Sequence, residues 1–209
     1  MTAPGSALPA SSEGLLLRTL RCIGYTSPAR LAATTGLDES DVESELIDLA
    51  VAGLVTYDGG GFGGWGLTAA GRTADAERVE AELAATGARA AVVDAYDRFL
   101  VLNPELLDLC TAWQMRAVNG VVTLNDHTDP GYDTRVLDRL IDLDQRAAVV
   151  CADVSAALPR FRRYPAALSA ALARVKAGER DYVTDNLESY HNIWFQLHED
   201  LLATLGIPR

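Results

Sequence analysis

His191 and His198 stand seven residues apart, with Glu188 three before His191 and Glu199 directly after His198. In a helix this spacing puts both imidazoles on one face. A carboxylate with two imidazoles is a donor set for zinc or iron. Positions seven apart lie about 10 Å apart along a helix axis, so one ion would need a third ligand brought in by folding. Asp126, His127 and Asp129 can supply it. Glu188, His191 and His198 are thus the metal expectation; the competing reading is polar contact inside or at the rim of a helical bundle.

Arg160, Arg162 and Arg163, framed by Pro159 and Pro165, form the one basic cluster. Guanidinium forks suit phosphate and carboxylate, so these three are an anion-site expectation, against pairing with the many acids. The Asn125–Asp133 segment holds Asp126, Asp129 and Asp133, but its spacing is not that of a calcium loop; Asx turns and a helix cap explain it. Gly59 to Gly64 lacks the Gly-Lys-Ser/Thr ending of a phosphate loop. Cys22, Cys110 and Cys151 are scattered among apolar neighbours and read as reduced core thiols. No Ser/His/Asp or Cys/His set stands out. The aromatics Trp113, Tyr190, Trp194 and Phe195 read as core, against the lining of a ligand cavity between helices.

These residues sit in a chain of 209, enough for one large domain or two small ones. Hydrophobic residues at 49% and charged residues at 22% fit a globular protein rather than a disordered one. No apolar run approaches the roughly 20 residues of a bilayer span, and Met1 to Ser12 lacks the features of a secretory signal; it reads as a mobile tail. The net charge of −11 and pI near 4.6 oppose broad nucleic-acid binding, because phosphate neutralisation supplies most of that affinity. Only Lys176 among the cations is a lysine, the mark of a GC-rich coding bias.

Element signals are clear in the first third. Leu15, Leu16, Leu20 and Ile23 recur at helical spacing up to Gly24. Ser27-Pro28 opens a second helix that Gly36 closes. Asp38 caps a third, with Val42, Leu46, Leu49 and Ala50 as its apolar stripe and Gly53 as its stop. Leu54–Tyr57 and Trp65–Leu67 are short strands around a glycine-rich tip whose density predicts mobility, and Thr68 caps the next helix. From Ala69 onward the pattern is helical throughout. A break falls near Thr86-Gly87 and a fresh start at Asn103-Pro104. A polar loop covers Asn119 to Tyr132. Further helices run from about Thr134 to Pro159, Pro165 to Lys176, and Val183 to Leu205.

The stretch Leu31-Ala32-Ala33-Thr34-Thr35-Gly36-Leu37-Asp38-Glu39-Ser40-Asp41-Val42, followed by Gly53-Leu54-Val55 and Leu67-Thr68-Ala69-Ala70-Gly71-Arg72, resembles the winged helix-turn-helix of MarR-like and PadR-like transcriptional regulators. The resemblance spans about Glu13 to Gly87. It implies a third helix that enters the DNA major groove, with Arg30, Thr34, Thr35, Ser40, Glu43, Ser44 and Arg72 as contacts. The third helix departs from the family pattern: it carries Asp38, Glu39, Asp41, Glu43, Glu45 and Asp48 and no Arg or Lys, which costs rather than helps beside phosphates. The stretch from Ser189 to Leu202 is similar to sequence found beside actinobacterial pyruvate phosphate dikinase-like proteins.

The expected fold is mainly α: a tail over 1–12, a winged helix of three helices plus a β-hairpin wing over 13–87, and an all-α sensing or dimerisation domain over 88–209. The expected function is a cytoplasmic, homodimeric transcriptional regulator that binds double-stranded DNA and answers to a small-molecule or protein effector, without cofactor, membrane contact or enzymatic activity. The alternative is a winged-helix adaptor for a protein partner, a pyruvate phosphate dikinase-like enzyme among the candidates. A metal-dependent sensor or enzyme centred on His191 and His198 is the third reading.

Overall fold

The computed structural model describes residues 11–61 and 63–208. The expected tail up to Ala10 and Phe62 of the glycine-rich tip lie outside them. The described chain is mainly helical and divides into two units, residues 11–82 with 202–208, and Leu83–Leu201.

The first unit opens with α1 (Ser12–Ile23), α2 (Pro28–Thr35) and α3 (Glu39–Val51). Ser11 and Ser27 cap α1 and α2 by accepting from Gly14 N and Arg30 N. Gly36, at φ +76°, gives the left-handed turn that ends α2. Asp38 occupies the N-cap position of α3, but its carboxylate makes no capping bond. Val42, Leu46 and Leu49 bury as their spacing predicts, joining Leu16, Leu17, Leu20 and Leu31 in one core. Strands β1 (Val55–Asp58) and β2 (Gly64–Leu67) pair antiparallel, and Thr26 adds a bridge to Trp65. Thr68 then accepts from Gly71 N at 3.0 Å and opens α4 (Ala69–Thr86).

The second unit is built on α5 (Arg89–Gln114) and α6 (Pro130–Ala157), followed by a 3₁₀ turn, α7 (Arg163–Lys176) and α8 (Tyr190–Leu205), whose last residues belong to the first unit. Four expectations are corrected here. Asn103-Pro104 starts no helix: α5 runs straight through Pro104. Proline forfeits one helical bond, but Phe99, Leu102, Leu106 and Leu109 keep the buried stripe continuous and hold the helix together. The region after Ala69 is not all helix, because β3 (Met115–Val118) and β4 (Val121–Leu124) form a second antiparallel hairpin. Its turn, Asn119-Gly120 at φ +51° and +82°, is the Asn-Gly pair that hairpins favour. Next, α6 begins at Pro130 rather than Thr134, since Asp129 caps it by accepting from Tyr132 N at 2.9 Å. Finally, α8 begins at Tyr190 rather than Val183. No described helix is long and apolar enough to cross a membrane.

Candidate binding face and polar clusters

The outward face of α3 is acidic and partly apolar. Asp41, Glu43 and Asp48 are exposed on it or at its edges, whereas Glu39, also exposed, lies at the start of the helix on the side of Val42 and Leu46. Ile47 is 58% and Val51 85% exposed, one helical turn apart. Glu45 does not share that face: it is half-buried and accepts from Ser12 Oγ at 2.9 Å. Of the residues expected to touch DNA, Ser40, Glu43, Ser44 and Arg72 are exposed and Arg30 is half-buried. Three of the hydroxyls bond back to their own helix. Thr34 donates to the Arg30 carbonyl at 2.8 Å, Thr35 to the Leu31 carbonyl at 2.7 Å and Ser44 to the Ser40 carbonyl at 3.0 Å. A hydroxyl has one proton to give, so none of the three has a proton left for a phosphate.

The arginine cluster separates. Arg160 and Arg163 both reach Asp200, the latter at 3.3 Å, and Tyr164 OH donates to the same carboxylate at 2.8 Å. Each guanidinium also lies over an aromatic ring, Arg160 over Phe161 and Arg163 over Tyr164, both at 4.5 Å. Arg162 is exposed. The anion these arginines meet is thus part of the chain, supplied from α8.

The metal-site residues do not converge. Glu188 is exposed in the turn before α8 rather than on it. His198 stacks on Tyr96 with centroids 6.2 Å apart and tilts against Phe99 at 5.1 Å. His191 sits half-buried in the first turn of α8. Among the described residues no group of three or more His, Cys, Asp or Glu gathers to hold a metal ion. Trp113, Tyr190 and Trp194 are core, whereas Phe195 is 38% exposed. The three cysteines are buried and not joined in disulfides, and burial pushes the Cys110 and Cys151 thiols up to about 12, which keeps them protonated and unreactive.

One cluster escaped the sequence reading. The amide of Asn125, buried after β4, donates to the Trp113 carbonyl at 3.0 Å and to Asp133 Oδ1 at 2.9 Å. Those two bonds use both amide hydrogens, so His127 Nδ1, 2.9 Å from Asp133 Oδ2, is the donor to that carboxylate. The imidazole leans on Trp113 at 4.6 Å, and its backbone is left-handed at φ +57°. Arg116 ties the loop from the hairpin side, 2.7 Å from Asp126 and 3.1 Å from Thr128 Oγ1. Asp133 is the link that sequence spacing hides: it lies in the first turn of α6, six residues beyond His127. The Asn119-Gly120 signal would have placed the hairpin that presents this loop.

Burial also holds the His191 imidazole below its ordinary value of 6.5. The folded chain favours its neutral form, so just below that value the unfolded chain binds more protons. Stability from this group is present above pH 6.5 and falls as the pH drops through and below it. The urea midpoint is expected to drop between about pH 7.5 and 5.5, and His191→Gln to flatten the slope. An identical slope in the variant would assign the effect to other groups.

No family model, curated protein or solved structure matches the chain.

Proposed function

We propose that residues 11–82 form a winged-helix module that docks on a basic protein surface through the outward face of α3, making the chain a regulatory adaptor. The observation that carries this is the composition of that face. It shows Asp41, Glu43 and Asp48 with exposed Ile47 and Val51, Glu39 is exposed at the start of the helix, and no cation stands anywhere on α3. These carboxylates repel a phosphate backbone. Exposed aliphatic side chains ringed by charge suit a protein partner. The helical remainder, with Val93, Leu100 and Leu107 exposed at seven-residue steps along α5, suits a second copy of the chain as a dimerisation surface.

A DNA-binding transcriptional regulator is the second reading. It is favoured by the element order of three helices and a hairpin with the extra Thr26–Trp65 bridge, which is the order of a winged helix, and by exposed Arg72 just after the hairpin.

Fluorescence anisotropy with a random DNA duplex separates the two. At about 0.15 M salt, the adaptor reading expects no saturable binding. At low salt, Glu39→Gln with Glu43→Gln should strengthen residual binding, because two repulsive charges disappear. Tight binding at physiological salt, weakened by the double variant, would reverse the order of the two readings. A photo-crosslinker at position 51 should yield a discrete protein adduct in extract that Ile47→Asp abolishes.

A further inference from the structure

The chain has 29 acids to 18 Lys and Arg, and eight arginines stand in ion pairs with carboxylates among the described residues. Arg21 and Arg72 do not. Both line one cavity of about 220 Å3 in the first unit, and among the described residues neither guanidinium has an ion-pair or hydrogen-bond partner. The third charge in the wall, Asp75, is already committed. It is buried with Arg18, 3.2 Å apart at side-chain exposures of 4% and 7%. The two free cations therefore leave the cavity positive inside a negative protein.

Their positions on the helices differ. Arg21 lies in the last turn of α1, where the helix dipole welcomes a cation. Arg72 lies in the first turn of α4, where the dipole opposes one and favours an anion. Neither dipole nor a carboxylate partner accounts for Arg72. The rest of the lining is small or apolar, with Ala76 on α4 and Ala203 and Ile207 at the end of α8. Gly206 at φ +69° turns the chain so that Ile207 N reaches the Leu202 carbonyl at 3.0 Å, which places Ile207 and Pro208 along the open side of the pocket.

We infer that this cavity binds a small organic anion, its carboxylate or phosphate oxygens held between Arg21 and Arg72 and its short apolar body against Ala76, Ala203 and Ile207. The volume sits below the range of ordinary drug-sized sites, which limits the ligand to a few carbons around one anionic group. Two guanidiniums match both planar carboxylate and phosphate oxygens, and the shared requirement is the anionic oxygen pair.

Isothermal titration at low ionic strength, with the full chain, tests this using two probes: butyrate for the carboxylate form and inorganic phosphate for the phosphoryl form. At least one is expected to bind saturably, one per chain. The probe that binds identifies the class. Arg21→Gln and Arg72→Gln should each weaken that binding at least about tenfold, the loss of one charge-assisted contact. Ala76→Phe keeps both charges and fills the space, and it should weaken binding as well. Thermal midpoints within a few degrees of wild type would show that the variants fold. Two results overturn the inference: no saturable binding of either probe up to about 20 mM, or binding that survives both arginine variants. Neither depends on what α3 docks against.

Discussion

Replacing Asp200 with alanine is expected to destabilise the second unit by about 3 kcal/mol, because it strips the shared partner from two guanidiniums and a phenol. Asp200 is 1% exposed. Its two oxygens take Arg160, Arg163 and Tyr164 OH. The arginines are less enclosed, with side chains 17% and 21% exposed, so water recovers part of their solvation and the effect falls at the low end of the buried-pair range. Tyr164→Phe provides the scale: it removes the hydroxyl that donates to Asp200 and accepts from Arg163, expected to cost about 1–2 kcal/mol, and leaves both charge pairs in place. Urea unfolding followed by tryptophan fluorescence in a Trp65→Phe background reads the right unit, since the remaining Trp113 and Trp194 both lie in Leu83–Leu201. A loss for Asp200→Ala no larger than for Tyr164→Phe would show that the charges contribute nothing net. An Arg160→Met, Arg163→Met, Asp200→Leu triple that regains wild-type stability would agree with the usual result for buried ion clusters replaced by apolar groups.

Gly71→Ala should disrupt the first unit by about 2–3 kcal/mol although alanine is the better helix former. A methyl group built on Gly71 overlaps the carbonyl oxygen of Leu54 and comes within 3.2 Å of Leu67 Cδ2. That carbonyl cannot retreat freely, because it also accepts from Thr68 N at 3.0 Å and lies 3.1 Å from Thr68 Oγ1. The start of α4 and the start of β1 are thus pinned at a separation only glycine permits. Exchanging glycine for alanine inside a helix would by itself gain about 1 kcal/mol, so the overlap must outweigh that gain. Gly61→Ala is the control, since a methyl there meets nothing within 4 Å and should shift stability by less than about 0.5 kcal/mol. Thermal unfolding monitored by near-ultraviolet circular dichroism of Trp65 and Tyr57, whose rings meet edge-on at 5.4 Å, measures both. A Gly71→Ala protein as stable as wild type would mean that α4 slides away from Leu54 at little cost.

Features that depend on neighbours within about one helical turn are legible in the sequence. Ser27-Pro28 and Gly36 bound α2 as expected, and Val42, Leu46 and Leu49 face the core as their spacing dictates. Thr68 caps α4, and the short strands meet around the glycines. Each of these is a local preference that no distant contact opposes. One local signal, Asn119-Gly120, was present and went unread. The rest needed the tertiary structure. Pro104 is a break by its own chemistry, and only the buried stripe on either side keeps α5 whole. Arg160 and Arg163 read as an open anion cluster until α8 brings Asp200, some forty positions away, into the same place. His127 and Asp133 share no periodic pattern, because one belongs to a left-handed loop and the other to a helix. The same holds for Arg21 and Arg72, 51 residues apart on two helices and lining one pocket. Charged side chains have long reach and weak local preference. Which of them meet is decided by how the apolar faces pack, and that packing is a property of the whole chain.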